Sequence, residues 1–199
     1  MTGSARKGLV FIPDISGFTE LVRRTDLLTG KRITHELLST IINHNVLHLK
    51  VAEIEGDAIF FYKWQSLPSL NDIALQFDIL KGAFDDKKAE LEEYFGISLD
   101  LHLKAVAHYG DMSEFFVAGF RKLYGEVVVE AHRLLKNGIP ERSYLLMTDA
   151  LTVASSNSNQ FATYSIDGLR SNTLCEIYGD IRNICFTYLL FEDSLVLTN

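Results

Sequence analysis

Proline is scarce, cysteine scarcer, and no apolar run approaches the length of a membrane span. The 199 residues include 3 prolines and 2 cysteines, with 47% hydrophobic and 23% charged side chains. That balance excludes a disordered or fibrous chain and predicts a single compact domain over residues 1–199. A domain of this size buries about 70% of its unfolded surface, so its core needs no staples. Cys175 and Cys185 are therefore expected as packed thiols, although the two strands that hold them could set them opposite each other. A spanning helix needs about 20 apolar residues, and the opening MTGSARKG runs into a short apolar strand with no signal-peptide core. A cytoplasmic protein without a membrane partner is expected. Positive charge is also short, 19 basic against 26 acidic residues for a net charge of -7, which repels phosphate backbones and disfavours nucleic acid as a partner.

The hydrophobic pattern orders the chain. Residues 8–14 read as a buried strand stopping at Asp14, with Pro13 tolerated near its end. After the turn at Ile15-Ser16-Gly17 come two helices, one begun by Phe18, Leu21 and Val22 and one around Ile33 to Ile42, joined at Thr29-Gly30. Strands at 49–54 and 58–62 flank Glu55-Gly56-Asp57, the composition of a tight hairpin. Residues 69–95 form a long amphipathic helix closed by Gly96. Strand spacing returns at 99–107 and 115–117, with a hairpin expected at Tyr109-Gly110-Asp111. A helix over 127–135, a strand over 142–147, a polar loop at 155–159 and two or three strands over 161–191, turning near Gly179-Asp180, complete the order. This succession predicts an α+β sandwich of the ferredoxin-like type, helices packed on a mainly antiparallel sheet.

Asp14 ends one strand and Asp57 occupies a hairpin turn. If those strands are neighbours, two carboxylates meet at one rim beside the loop Ile15 to Thr19. Carboxylate oxygens suit Mg²⁺ or Mn²⁺, and backbone N–H groups at a helix start suit phosphate. Other motifs fail on composition. His35-Glu36 has Ser39 where a zinc helix needs its second histidine, and Gly30-Lys31 lacks the remaining elements of a P-loop. His108 is expected to be packed or hydrogen-bonded, and Phe115, Phe116 and Phe120 suit either a core or a dimer seam.

Three segments carry a family resemblance. Phe11-Ile-Pro-Asp-Ile-Ser-Gly-Phe-Thr19 resembles the opening signature of class III adenylate and guanylate cyclases. Glu53-Ile-Glu-Gly-Asp-Ala58 resembles their Gly-Asp hairpin, and Tyr124-Gly-Glu-Val-Val-Val-Glu-Ala-His-Arg133 is similar to their Gly-x-x-Val-Asn-x-Ala-x-Arg helix. The resemblance implies a homodimer that binds a purine nucleoside triphosphate. It makes Asp14, Asp57 and the Ile15 carbonyl ligands of a two-metal site for Mg²⁺ or Mn²⁺, with Gly17, Phe18 and Thr19 cradling phosphate. It makes Arg133 the arginine that stabilises the transition state from the other protomer. The implied activity is formation of a cyclic nucleotide from GTP or ATP with release of pyrophosphate.

The departures from the pattern are specific. Val129 stands where the family has the asparagine that orients ribose, and Tyr178 replaces the lysine that holds the triphosphate. Glu53 and Lys122 fall at the base-reading positions; Glu53 resembles the guanylate cyclase residue and is expected opposite Lys122 of the other protomer, unless the two pair and close the base pocket. A degenerate cyclase-fold homodimer, sensing nucleotide or binding protein without turnover, is the alternative expectation.

Overall fold

The computed structural model describes residues 5–156, 170–177 and 183–191. Tyr178, the expected turn at Gly179-Asp180 and the polar run from Asn157 to Asn159 lie outside them. In chain order the described elements are β1 (Arg6–Ser16), α1 (Phe18–Arg24), α2 (Leu27–Asn43), β2 (Lys50–Glu55), β3 (Ala58–Trp64), α3 (Leu70–Phe95), β4 (His102–Val117), β5 (Phe120–Tyr124), α4 (Glu126–Leu134), β6 (Tyr144–Thr148), α5 (Asp149–Ser156), β7 (Arg170–Ile177) and β8 (Asn183–Leu190).

The strands form one sheet in the order β2-β3-β1-β4-β6-β8-β7, with β5 paired to β4 outside that path. Every described pairing is antiparallel except β4 with β6. The fold is thus the expected α+β sandwich. Side chains alternate across β1: Leu9, Phe11 and Ile15 enter the core under α2 and α3, while Val10 and Ile12 pack beneath Val127 and Ala131 of α4. Each such fully buried side chain contributes about 1.5–3 kcal/mol over leaving it exposed. Asp14 continues the row of Val10 and Ile12, so it lies on the α4 side of the sheet.

Local chemistry explains where the helices begin. Ser69 and Asp72 form a reciprocal capping box at the start of α3, and Gly96 ends it in the left-handed conformation. The expected break at Thr29-Gly30 falls earlier: Asp26 caps α2 by accepting from the N–H groups of Leu28 and Thr29, leaving Gly30 inside the helix. The expected loop at Ser155-Ser156 is instead the end of α5.

The hairpin expected at Tyr109-Gly110-Asp111 is absent. These residues lie within β4, pairing with Leu9, Gly8 and Lys7 of β1. Gly110 serves packing instead, because a Cβ there would stand 3.1 Å from the Val127 Cβ of α4. The chain turns at Ala118 and Gly119, both at positive φ. The resulting β4–β5 hairpin exposes Phe115, Phe116 and Phe120 together with Tyr124, which removes the core-packing alternative for the phenylalanines. Cys175 and Cys185 face each other in the β7–β8 register and are joined by a disulfide, in place of the expected packed thiols.

Candidate functional site

Two neighbours of β1 assemble the carboxylate rim. Asp14 pairs with Ala58 of β3 on one side and Lys104 of β4 on the other. The β2–β3 turn is drawn against β1 by a hydrogen bond from the Ile15 N–H to the Asp57 carbonyl, 3.3 Å. Gly56 supplies the positive φ of that turn. Asp14 and Asp57, 43 positions apart in sequence, therefore share one edge of the sheet.

Their electrostatics reflect this closeness. Burial pushes the Asp57 carboxyl up to about 6 and the Asp14 charge pushes the same way, while its own backbone N–H and Lys104 pull it down. Lys104 Nζ lies 3.2 Å from Asp14 Oδ2, with the two side chains 18% and 15% exposed, and it also donates to the Leu135 carbonyl at 3.0 Å. A lysine in an alternating strand carries no local signal, and only the β1–β4 register reveals this contact.

Gly17 begins α1 with φ +94°. A Cβ there would come within 2.2 Å of the Asp100 carbonyl oxygen and 3.3 Å of Arg142 Nη2, so glycine is required on two counts. Phe18 and Thr19 form the first turn, where helix N–H groups have no acceptor within the helix. Arg142 donates to Asp100 Oδ1 at 2.6 Å and to its carbonyl at 3.1 Å, and with His102 it holds the Asp100 carboxyl below the usual range. Sequence reading missed Arg142, whose place beside Gly17 depends on contacts more than 40 positions apart.

Glu53 of β2 and Lys122 of β5 form an ion pair within one chain. Within the chain this is the pairing alternative expected for the two base-reading positions. On α4, Val127, Glu130, Ala131 and Leu134 face inward, leaving Val129, 49% exposed, one turn from the exposed Arg133 on the outer face. Among the described residues the Arg133 guanidinium makes no ion pair, and it is not brought into contact with Asp14 or Asp57.

Farther along β4 a second polar cluster is buried. His108 lies 2.7 Å from Thr148 Oγ1 through Nδ1 and 2.7 Å from Glu130 Oε2 through Nε2, with all three residues at most 1% exposed. The expectation of a hydrogen-bonded histidine holds, while its glutamate partner was not foreseen.

The rim's donor set suits a hard divalent cation. Magnesium-like ions commonly take one or two protein carboxylates and complete their shell with water and substrate phosphate oxygens. Two neighbouring carboxylates, one of them raised by burial and by the charge of the other, supply such a pair. Among the described residues no group of three or more histidine, cysteine, aspartate or glutamate side chains is placed to hold a metal, so remaining ligands would come from backbone, water or substrate. No described helix is long and apolar enough to cross a membrane.

Residues 34–144 match the family model described as "Protein of unknown function (DUF2652)". A curated relative, "Uncharacterized protein Rv2561/Rv2562" of Mycobacterium tuberculosis (strain ATCC 25618 / H37Rv), is 30% identical over 126 residues, covering 58% of this chain and 57% of that protein. The chain thus spans little more than half the length of that relative. Among solved structures, the guanylyl cyclase Cya2 superposes with TM-score 0.72 at 13% identity, covering 100% of this chain and 98% of that one. The adenylyl cyclase CyaB from P. aeruginosa gives 0.73 at 14% identity over 97% and 98%. The monomeric guanylyl cyclase domain of the RhoGC fusion protein from Blastocladiella emersonii gives 0.60 at 14% identity over 96% and 98%. The fold resembles that of class III nucleotidyl cyclase catalytic domains.

Proposed function

This chain belongs to the DUF2652 family of proteins of unknown function, and we propose that it is a nucleotidyl cyclase-like protein. In this reading it acts as a homodimer that binds a purine nucleoside triphosphate with divalent cations at Asp14 and Asp57. It converts the nucleotide to a cyclic nucleotide and pyrophosphate. The observation that carries the reading is the shared edge of Asp14 and Asp57, with the Asp57 carboxyl raised to about 6 by burial and by its neighbour's charge. Repulsion of that kind is relieved when a cation binds between the groups.

Bound Mg²⁺ or Mn²⁺ would favour the ribose alkoxide and neutralise phosphate charge. The Ile15 carbonyl would be a further ligand, and the N–H groups of Gly17, Phe18 and Thr19 would hold phosphate oxygens. The 3′-oxygen forms a bond to the α-phosphorus as the bond to the bridging oxygen of pyrophosphate breaks. Arg133 of the partner subunit stabilises the charge that develops on the α-phosphate. Glu53 accepts from the N1 and N2 positions of guanine once Lys122 releases it, which favours GTP over ATP. The exposed Phe115, Phe116, Phe120 and Tyr124 of the β4–β5 hairpin supply apolar surface for the dimer.

Val129 favours a second reading. Its exposed side chain stands at the family's ribose-orienting position and forms no hydrogen bond, as suits a cyclase-fold dimer that senses nucleotide without turning it over. Incubating the purified protein with Mn²⁺ and GTP or ATP separates the two. Cyclic nucleotide and pyrophosphate that disappear in Asp57→Ala support the enzyme, whereas no product even at high protein concentration supports the sensor.

A further inference from the structure

The ammonium of Lys104 occupies ground that a divalent ion would need. It lies 3.2 Å from Asp14 Oδ2 in a largely shielded position, where charges interact more strongly than at an open surface. Its placement follows from the fold, because Lys104 is the β4 residue paired with Asp14. A magnesium-like ion on Asp14 would stand about 2 Å from a carboxylate oxygen. It would thus come within a few ångströms of the ammonium, and two cations at that separation repel.

We infer that Lys104 is a tethered counter-ion of the carboxylate rim: it neutralises Asp14 while no divalent ion is bound and competes with the first ion to enter. The inference rests on the metal reading proposed above and adds to it a residue that sets metal affinity. The second contact of the ammonium explains how it can yield. Leu135 follows the last turn of α4, where carbonyls lack helical partners and carry partial negative charge. The hydrogen bond to the Leu135 carbonyl gives the lysine a place to remain when Asp14 is taken. Displacement is then a short swing toward the helix end that leaves one hydrogen bond intact.

The test is titration of the full chain with Mn²⁺ alone, followed by the EPR signal of the free ion, at about pH 8 where unperturbed carboxyl groups are ionised. Lys104→Met keeps most of the side chain's hydrocarbon length and removes its charge; Lys104→Gln is a second neutral variant should the first fail to fold. The neutral variants are expected to bind Mn²⁺ about tenfold more tightly than the unaltered protein, the size of effect a neighbouring unit charge exerts at such distances. Lys104→Arg, which keeps the charge, is expected to stay within about threefold of the unaltered protein, and Asp14→Asn should abolish binding in either background. Equal or weaker binding by the neutral variants, with binding still dependent on Asp14, overturns the counter-ion role and leaves the metal reading standing. Absence of Asp14-dependent binding in every protein overturns the metal reading and the inference together.

Discussion

Lys104 and His108 lie four positions apart on one strand, and the clusters built around them differ in one respect. Both face α4. The helix closes over His108, where Glu130 reaches one ring nitrogen and Thr148 the other. It ends at Lys104, meeting the ammonium only through the Leu135 carbonyl. One cluster is therefore sealed, with both histidine nitrogens engaged. The other keeps two carboxylates at a half-open edge with part of their repulsion unrelieved. A buried polar network whose members are engaged rigidifies a fold; a partly exposed pair of like charges is poised for a ligand.

Substitutions can break this contrast, and the largest effect is expected in the sealed cluster. His108→Ala removes a partner from the buried Glu130 and opens a cavity, so chemical denaturation should report a loss of about 3–5 kcal/mol. The same substitution at the open rim should act on chemistry and leave the fold nearly unchanged. Asp57→Ala is expected to lower cyclic nucleotide formation by about 10²- to 10³-fold, some 2–4 kcal/mol of transition-state stabilisation, with an unfolding midpoint no lower than that of the unaltered protein.

A smaller effect sharpens the choice between enzyme and sensor. Val129→Asn returns a hydrogen-bonding side chain to an exposed position on α4 and should raise turnover by roughly tenfold, about 1.4 kcal/mol. No change in a protein that does turn over would mean that the outer face of α4 does not reach the ribose.

The smallest effect concerns pH. The Asp57 carboxyl titrates near 6 in the folded chain against 3.8 when free, so the folded state holds the proton more tightly over that window. The stability this confers is present at acid pH and lost as pH rises through about 6. Without divalent cations, lowering the pH from about 7 to about 5 should raise Tm by roughly 2–4 °C more in the unaltered protein than in Asp57→Asn, a modest figure because the group is only half-buried. Equal shifts in both proteins would show that neither burial nor the neighbouring charge raises the Asp57 carboxyl.

Much of the fold was legible because its signals are local. The apolar run of β1, the Gly-Asp turn before β3 and the Gly96 end of α3 each lie within a few residues of what they determine. Tyr109-Gly110-Asp111 misled for the same reason: its composition is that of a turn, but the glycine answers to Val127, a residue of another element. Thr29-Gly30 has the composition of a helix break, but the cap is made by Asp26, which leaves the glycine inside the helix. At the rim, the two aspartates could be paired from their places at a strand end and a turn. Lys104, Arg142 and the intrachain partnership of Glu53 with Lys122 could not, because each depends on contact between segments 42 to 90 positions apart. Glu130 was hidden more thoroughly, since a glutamate on a solvent-accessible helix gives no hint that it will be drawn under that helix to a histidine.

The most direct measurement is the anomalous diffraction of crystals grown with Mn²⁺ and a GTP analogue whose α–β bridge is a methylene group, which cannot be cyclised. The expected result is a peak about 2 Å from carboxylate oxygens of both Asp14 and Asp57, with the Lys104 ammonium moved off Asp14. Manganese bound elsewhere, or nucleotide bound with the Lys104–Asp14 contact intact and no metal between the aspartates, would contradict a shared cation site at this edge of the sheet.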